Sequence, residues 1–245
     1  MRERAYILAE IGAVSALAWL YLIRMPMSPA DFGSLAERIA APLPSPVIDF
    51  TICFLMWAVM MVAMMLPTAS PMILTYARLA SAREGASFLW TWSFAAGYLA
   101  VWTGFSVVAT AAQMALTRVA ILGNAMTLAP LAGAAILAAA GIYQFTPWKS
   151  ACLKHCQSPM GFFMTRWRNG GAGAFKMGLQ HGSSCVGCCW MLMALLFVAG
   201  VMNLVWVAAI TVFVLAEKLV PYPRAVSFTA GCALIASSAL VLINH

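Results

Sequence analysis

His181, Cys185, Cys188 and Cys189 stand at spacings i, i+4, i+7 and i+8. On an α-helix such positions share one face, within an arc of about 100°. Thiolate and imidazole are ligands for Cu(I), zinc and iron. A second group, Cys152, His155 and Cys156, lies between Pro147 and Pro159. A helix of roughly two to three turns between those prolines puts all three side chains on one side. Lys149 and Lys154 nearby favour the thiolate, which is the form that binds metal. The third group is a methionine ladder: Met56, Met60 and Met64 are spaced by four, as are Met61 and Met65. Thioether sulfur is neutral and soft and selects Cu(I) over harder ions. Gly182 and Gly187 either loosen the helix that carries the first group or let another backbone come close to it.

Cys53 and Cys232 each stand apart from these groups and read as packing residues. His245 is given no role. The pattern C-x-x-C-H is missing, because Cys188 is followed by Cys189, and no P-loop, Rossmann glycine pattern or H-E-x-x-H motif occurs.

The elements that must position these donors follow from hydropathy. Of the 245 residues 64% are hydrophobic and 9% charged, whereas a soluble domain carries about 25% charged residues. The chain therefore reads as an all-α integral membrane protein, a seven-transmembrane helix bundle forming a single polytopic domain over 1–245. The expected spans are 5–23, 47–66, 88–112, 126–145, 176–200, 203–220 and 225–243, each near the roughly 20 residues that cross a bilayer. The first span is taken as a retained helix and not a cleaved signal. The fifth and sixth spans almost merge and are split near Gly200–Asn203.

With the N-terminus cytoplasmic and the C-terminus outside, the inner segments hold Arg2, Arg4, Arg78, Arg83, Lys149, Lys154, Arg166, Arg168, Lys176, Lys218 and Arg224. The outer segments hold only Arg24, Arg38 and Arg118. This positive-inside bias fits a multi-pass protein of a bacterial inner membrane. It also explains the net charge of +7 without a nucleic-acid partner. The loop at 24–46, with its prolines 26, 29, 42, 44 and 46, is expected outside, with a short interfacial helix near Asp31–Ala41. The loop at 146–175 is expected inside and carries the second thiol group. The alanine- and glycine-rich fourth span suits close helix packing. In this topology the three soft-donor groups share one depth near the cytoplasmic face, with Glu217 and Lys218 as a candidate ion pair beside them.

Three stretches, Met56–Pro67, Tyr143–Cys156 and Gly178–Trp190, together with Glu217-Lys218, resemble a bacterial domain-of-unknown-function family described as predicted metal-binding integral membrane proteins. The resemblance covers roughly 47–220. It implies a metal-binding membrane protein with Cys152, His155, Cys156, His181, Cys185, Cys188 and Cys189 as candidate ligands.

The expected function is the handling of a soft ion near the cytoplasmic face by binding, delivery or transport. Copper is the first choice, with zinc or iron as alternatives, and Met60, Met61, Met64 and Met65 are added as candidate ligands. Expected partners are the lipid bilayer and either membrane-protein subunits or a metallochaperone. Two other functions fit the same residues. A membrane thiol oxidoreductase would cycle Cys152 with Cys156, or Cys185 with Cys188 or Cys189, although the cytoplasm keeps thiols reduced. An accessory or assembly subunit of a larger membrane complex would use its small-residue fourth helix and its 9 tryptophans for contacts.

Overall fold

The computed structural model describes residues 2–24, 46–85, 88–119 and 128–244. The interfacial helix expected near Asp31–Ala41, the prolines at 26–44, Arg38 and His245 lie outside these residues. Nine helices and no strands occur among the described residues: α1 (Arg2–Arg24), α2 (Pro46–Glu84), α3 (Phe88–Arg118), α4 (Pro130–Gln144), α5 (Pro147–Gln157), α6 (Pro159–Arg166), α7 (Gly170–Ala199), α8 (Leu204–Leu219) and α9 (Pro223–Ile243). Five of them, α1, α2, α3, α7 and α9, are long and apolar enough to cross a membrane. Leu17, Leu55, Val108 and Phe228 are apolar side chains exposed on these helices, as a lipid-facing surface requires. The spans expected at 126–145 and 203–220 appear as α4 and α8, of 15 and 16 residues. At a rise of about 1.5 Å per residue each falls short of a hydrocarbon core about 30 Å thick.

The second helix does not stop at Pro67, as its expected end at residue 66 required. It runs 39 residues, through Pro67 and Pro71. Proline at 71 deprives the Pro67 carbonyl of its helical donor, and the Ser70 hydroxyl donates to that carbonyl at 2.8 Å instead. Hydroxyls re-satisfying a backbone in this way let proline sit inside an apolar helix.

The expected loop at 146–175 is likewise helical. Thr146 caps α5, its side chain accepting from the Lys149 amide, and Pro147 takes the first helical position, where a missing N–H costs nothing. Pro159 starts α6 in the same position, and α7 begins at Gly170 instead of 176. Gly182 and Gly187 do not loosen α7, which is continuous for 30 residues. The split between the fifth and sixth spans falls where expected: Gly200 turns the chain with φ of 94°, a conformation suited to glycine. Asn203 then caps α8.

The glycines of α7 serve close approach. A methyl group on Gly178 would strike the Phe94 carbonyl of α3, and one on Gly97 would strike the Phe175 carbonyl of α7. The two backbones therefore touch, in the manner of small-residue packing between membrane helices. We expect Gly178→Ala to destabilise the protein by about 1–3 kcal/mol through overpacking, read as a lowered midpoint in thermal unfolding of the detergent-solubilised chain.

Three further helices are strung end to end along α7. The Leu128 amide, just before α4, donates to Phe197 O at 2.9 Å. Tyr143, at the other end of α4, donates to Gly187 O at 2.5 Å. The Phe162 ring of α6 lies 6.0 Å from His181. So α4, α5 and α6 run antiparallel to α7, with breaks at Thr146-Pro147 and Ser158-Pro159. Helix α9 returns along α4, where Ser238 donates to Ala134 O at 2.8 Å. In consequence the end of α4, the start of α5, the end of α8 and the start of α9 all meet beside the middle of α7.

Candidate metal centre

Cys185 stands near the midpoint of α7 and is fully buried. The back-directed geometry of helical side chains brings its neighbours onto the same face. Cys188 Sγ donates to Cys185 O at 3.1 Å, and Cys189 Sγ donates to the same carbonyl at 2.9 Å. From the other side α5 presents Cys156, which is buried. The sulfurs of Cys156, Cys185 and Cys188 all lie within 4.8 Å of one another. Three sulfurs each about 2.3 Å from a shared ion stand about 4 Å apart, so this spacing fits one ion with little adjustment. Thiols are soft donors, and a set made only of them suits Cu(I) better than hard divalent ions.

The cluster has a built-in countercharge. Lys218, at the end of α8, is buried, and its ammonium donates to Cys185 Sγ at 3.1 Å and to Thr68 Oγ1 at 2.8 Å. Thr68 in turn donates to Met65 O at 2.9 Å. The Tyr98 hydroxyl donates to Met65 O at 3.1 Å and lies 3.2 Å from Cys185 Sγ. A buried ammonium needs a negative partner, and a Cys185 thiolate supplies one. Cys188 and Cys189 carry the protons they donate, so an ion that takes Cys188 as a ligand must displace one.

Glu217 and Lys218 do not pair with each other. Consecutive helical residues diverge by about 100°, so Lys218 turns to Cys185 while Glu217 turns to α5. Lys149 Nζ donates to both Glu217 carboxylate oxygens, at 2.6 and 2.8 Å. Ser227 of α9 adds a third donor at 2.8 Å. This ion pair ties α5, α8 and α9 together immediately beside the thiols.

The other sequence candidates fall into place around this centre. Cys152 is half-buried against Gly187. His155 is exposed on the outer side of α5, away from the buried Cys156. The helix between the two prolines forms as expected, but of its three candidate donors only Cys152 and Cys156 lie against α7. His181 is buried one turn before Cys185. Met60, Met61, Met64 and Met65 are all buried in the core, and of these Met65 is linked to the cluster through Tyr98, Thr68 and Lys218. Cys53 is buried on α2, and Cys232 is exposed on α9. Sequence reasoning did not single out Tyr98 or Thr68, nor Lys149 as the partner of Glu217. No local motif marks them, since they join the site across 87, 150 and 68 residues.

A helical bundle with five helices long and apolar enough to cross a membrane, and with three buried thiols gathered beside a lysine, has the donor set of a soft-metal site. The chain belongs to the family described as copper chaperone (PpoB2), whose model matches residues 54–241. That range holds every thiol of the cluster and both lysines beside it. No curated protein and no solved structure matches the chain.

Proposed function

We propose that this chain is a multi-pass protein of the bacterial inner membrane that binds Cu(I) at Cys156, Cys185 and Cys188 and delivers it to an acceptor protein. The observation that carries this reading is the convergence of three buried sulfurs within 4.8 Å beside the Lys218 ammonium. Cys189 and Cys152 flank the ion, and Met65 lies behind it. The lysine offsets part of the negative charge that thiolates accumulate in a low-dielectric interior. It thereby lowers the cost of holding a monovalent ion there.

The topology is seven crossings, with the N-terminus inside and the C-terminus outside. The two short helices α4 and α8 complete the count by continuing into α5 and into the turn before α9. Discontinuous helices meeting at a binding site are a recurrent device of membrane proteins that handle ions. The partner is a soluble or membrane-bound copper acceptor, to which the ion passes by exchange of thiol ligands.

The test is elemental analysis of the detergent-purified chain, wild type beside a variant with Cys156, Cys185 and Cys188 all replaced by serine. The expected result is copper in the wild type and none in the variant. Equal copper in both, or a wild type that holds only zinc or iron after loading with mixed metals, would overturn the reading.

A further inference from the structure

His181 is 2% exposed, and neither ring nitrogen has a hydrogen-bond partner among the described residues. The ring is held by aromatic neighbours instead: it stacks on Tyr98 at 5.3 Å and on Phe94 at 6.1 Å, and Phe162 meets it edge-on at 6.0 Å. Every one of these contacts would be served by a phenylalanine, which carries no unsatisfied polar atom. A buried polar group left without a partner is a cost that needs an explanation. A neutral imidazole with a free lone pair is a soft-metal donor.

Position supplies the explanation. His181 lies one helical turn before Cys185, and Met177, fully buried, lies one turn before His181. Side chains four apart on a helix have Cβ atoms about 5–6 Å apart, close enough for an ion to be shared between successive donors. Tyr98 touches both levels, stacking on the imidazole while its hydroxyl reaches Cys185.

We infer that His181, with Met177, forms a second soft-ion station through which Cu(I) enters and leaves the thiol centre. This rests on the copper reading above and adds a route to it. The step is a ligand exchange with no change of oxidation state: bonds from Cu(I) to the His181 nitrogen and the Met177 sulfur break as bonds to the Cys185 and Cys188 sulfurs form, and the proton that Cys188 gives up passes to solvent. The station does not hold the resting ion, so it governs rate and not equilibrium affinity.

The experiment follows Cu(I) transfer from a chromophoric Cu(I) chelate to the full-length, detergent-solubilised chain by stopped-flow absorbance, for the wild type, His181→Phe and His181→Met. His181→Phe keeps the aromatic packing and removes the donor; His181→Met keeps a soft donor. His181→Phe is expected to bind the same amount of copper at the same affinity while loading and releasing it at least about tenfold more slowly. His181→Met is expected to exchange at close to the wild-type rate. The station is overturned if His181→Phe exchanges as fast as the wild type, or if its equilibrium affinity falls along with its rate, which would make His181 a ligand of the resting centre. Should His181→Phe fail to fold, His181→Met decides alone: near-wild-type exchange supports the station, and slow exchange at full occupancy overturns it. A wild type that takes up no Cu(I) would instead remove the thiol centre, a failure separate from any result at position 181.

Discussion

Cys185→Ala is expected to weaken Cu(I) binding at least about a hundredfold, equivalent to about 2.7 kcal/mol, in competition with a chromophoric chelator. Cys185 has a place in the cluster that no other sulfur shares. Among the described residues it is the sulfur that receives the Lys218 ammonium, and it also lies beside the Tyr98 hydroxyl. Alanine at this position leaves two sulfurs of the cluster, Cys156 and Cys188, from different helices. It also leaves the Lys218 ammonium with Thr68 as its partner and no sulfur to neutralise it. The backbone carbonyl that holds Cys188 and Cys189 remains, so the loss reads out the missing ligand and not a collapse of their rotamers. Cys232→Ala, at an exposed position on α9, is the control and should leave affinity unchanged. Equal affinity in both variants would show that the ion is held elsewhere.

Glu217→Leu should be the most destabilising single change near the site, costing about 3–5 kcal/mol. The Lys149 and Glu217 side chains are 1% and 2% exposed, and their contact is 2.6 Å. Removing the carboxylate strands a buried ammonium and leaves the Ser227 hydroxyl without its acceptor. Removing both charges is a different matter, because an ion pair replaced by apolar groups of similar volume is often neutral. The double variant Lys149→Met/Glu217→Leu should therefore recover most of the loss. Denaturant unfolding of the solubilised protein, followed by tryptophan fluorescence, distinguishes the cases. A single variant as stable as the wild type would mean that the pair contributes little. A double variant no better than the single would mean that the carboxylate matters for a reason other than Lys149.

The helical, membrane-type character and the thiol stripe of α7 were legible because both rest on local periodicity. Cys185, Cys188 and Cys189 share a face whatever the tertiary structure, and the prolines at 147 and 159 mark the helix that carries Cys156. The course of α2 was not legible. Proline is a helix breaker in the general case, and the rescue by Ser70 depends on a hydroxyl rotamer that only the folded chain reveals. The pairing at Glu217-Lys218 was misread for a related reason. Adjacency in sequence suggests contact, but a helix sends neighbours to different partners, here Lys149 on α5 and Cys185 on α7. His155 shows the limit of a face argument: an arc of about 100° includes its edge, and on an 11-residue helix with one buried side that edge is in solvent.

The glycine contact between α3 and α7 has a mechanical consequence for the ion. With two backbones in register against each other, α7 behaves as a fixed beam, and Cys185 and Cys188 are riveted to it. Cys156 sits instead on the short helix α5, bounded by breaks at Thr146 and Ser158 and fastened through Lys149 to Glu217, so the three sulfurs are set by two separately anchored helices.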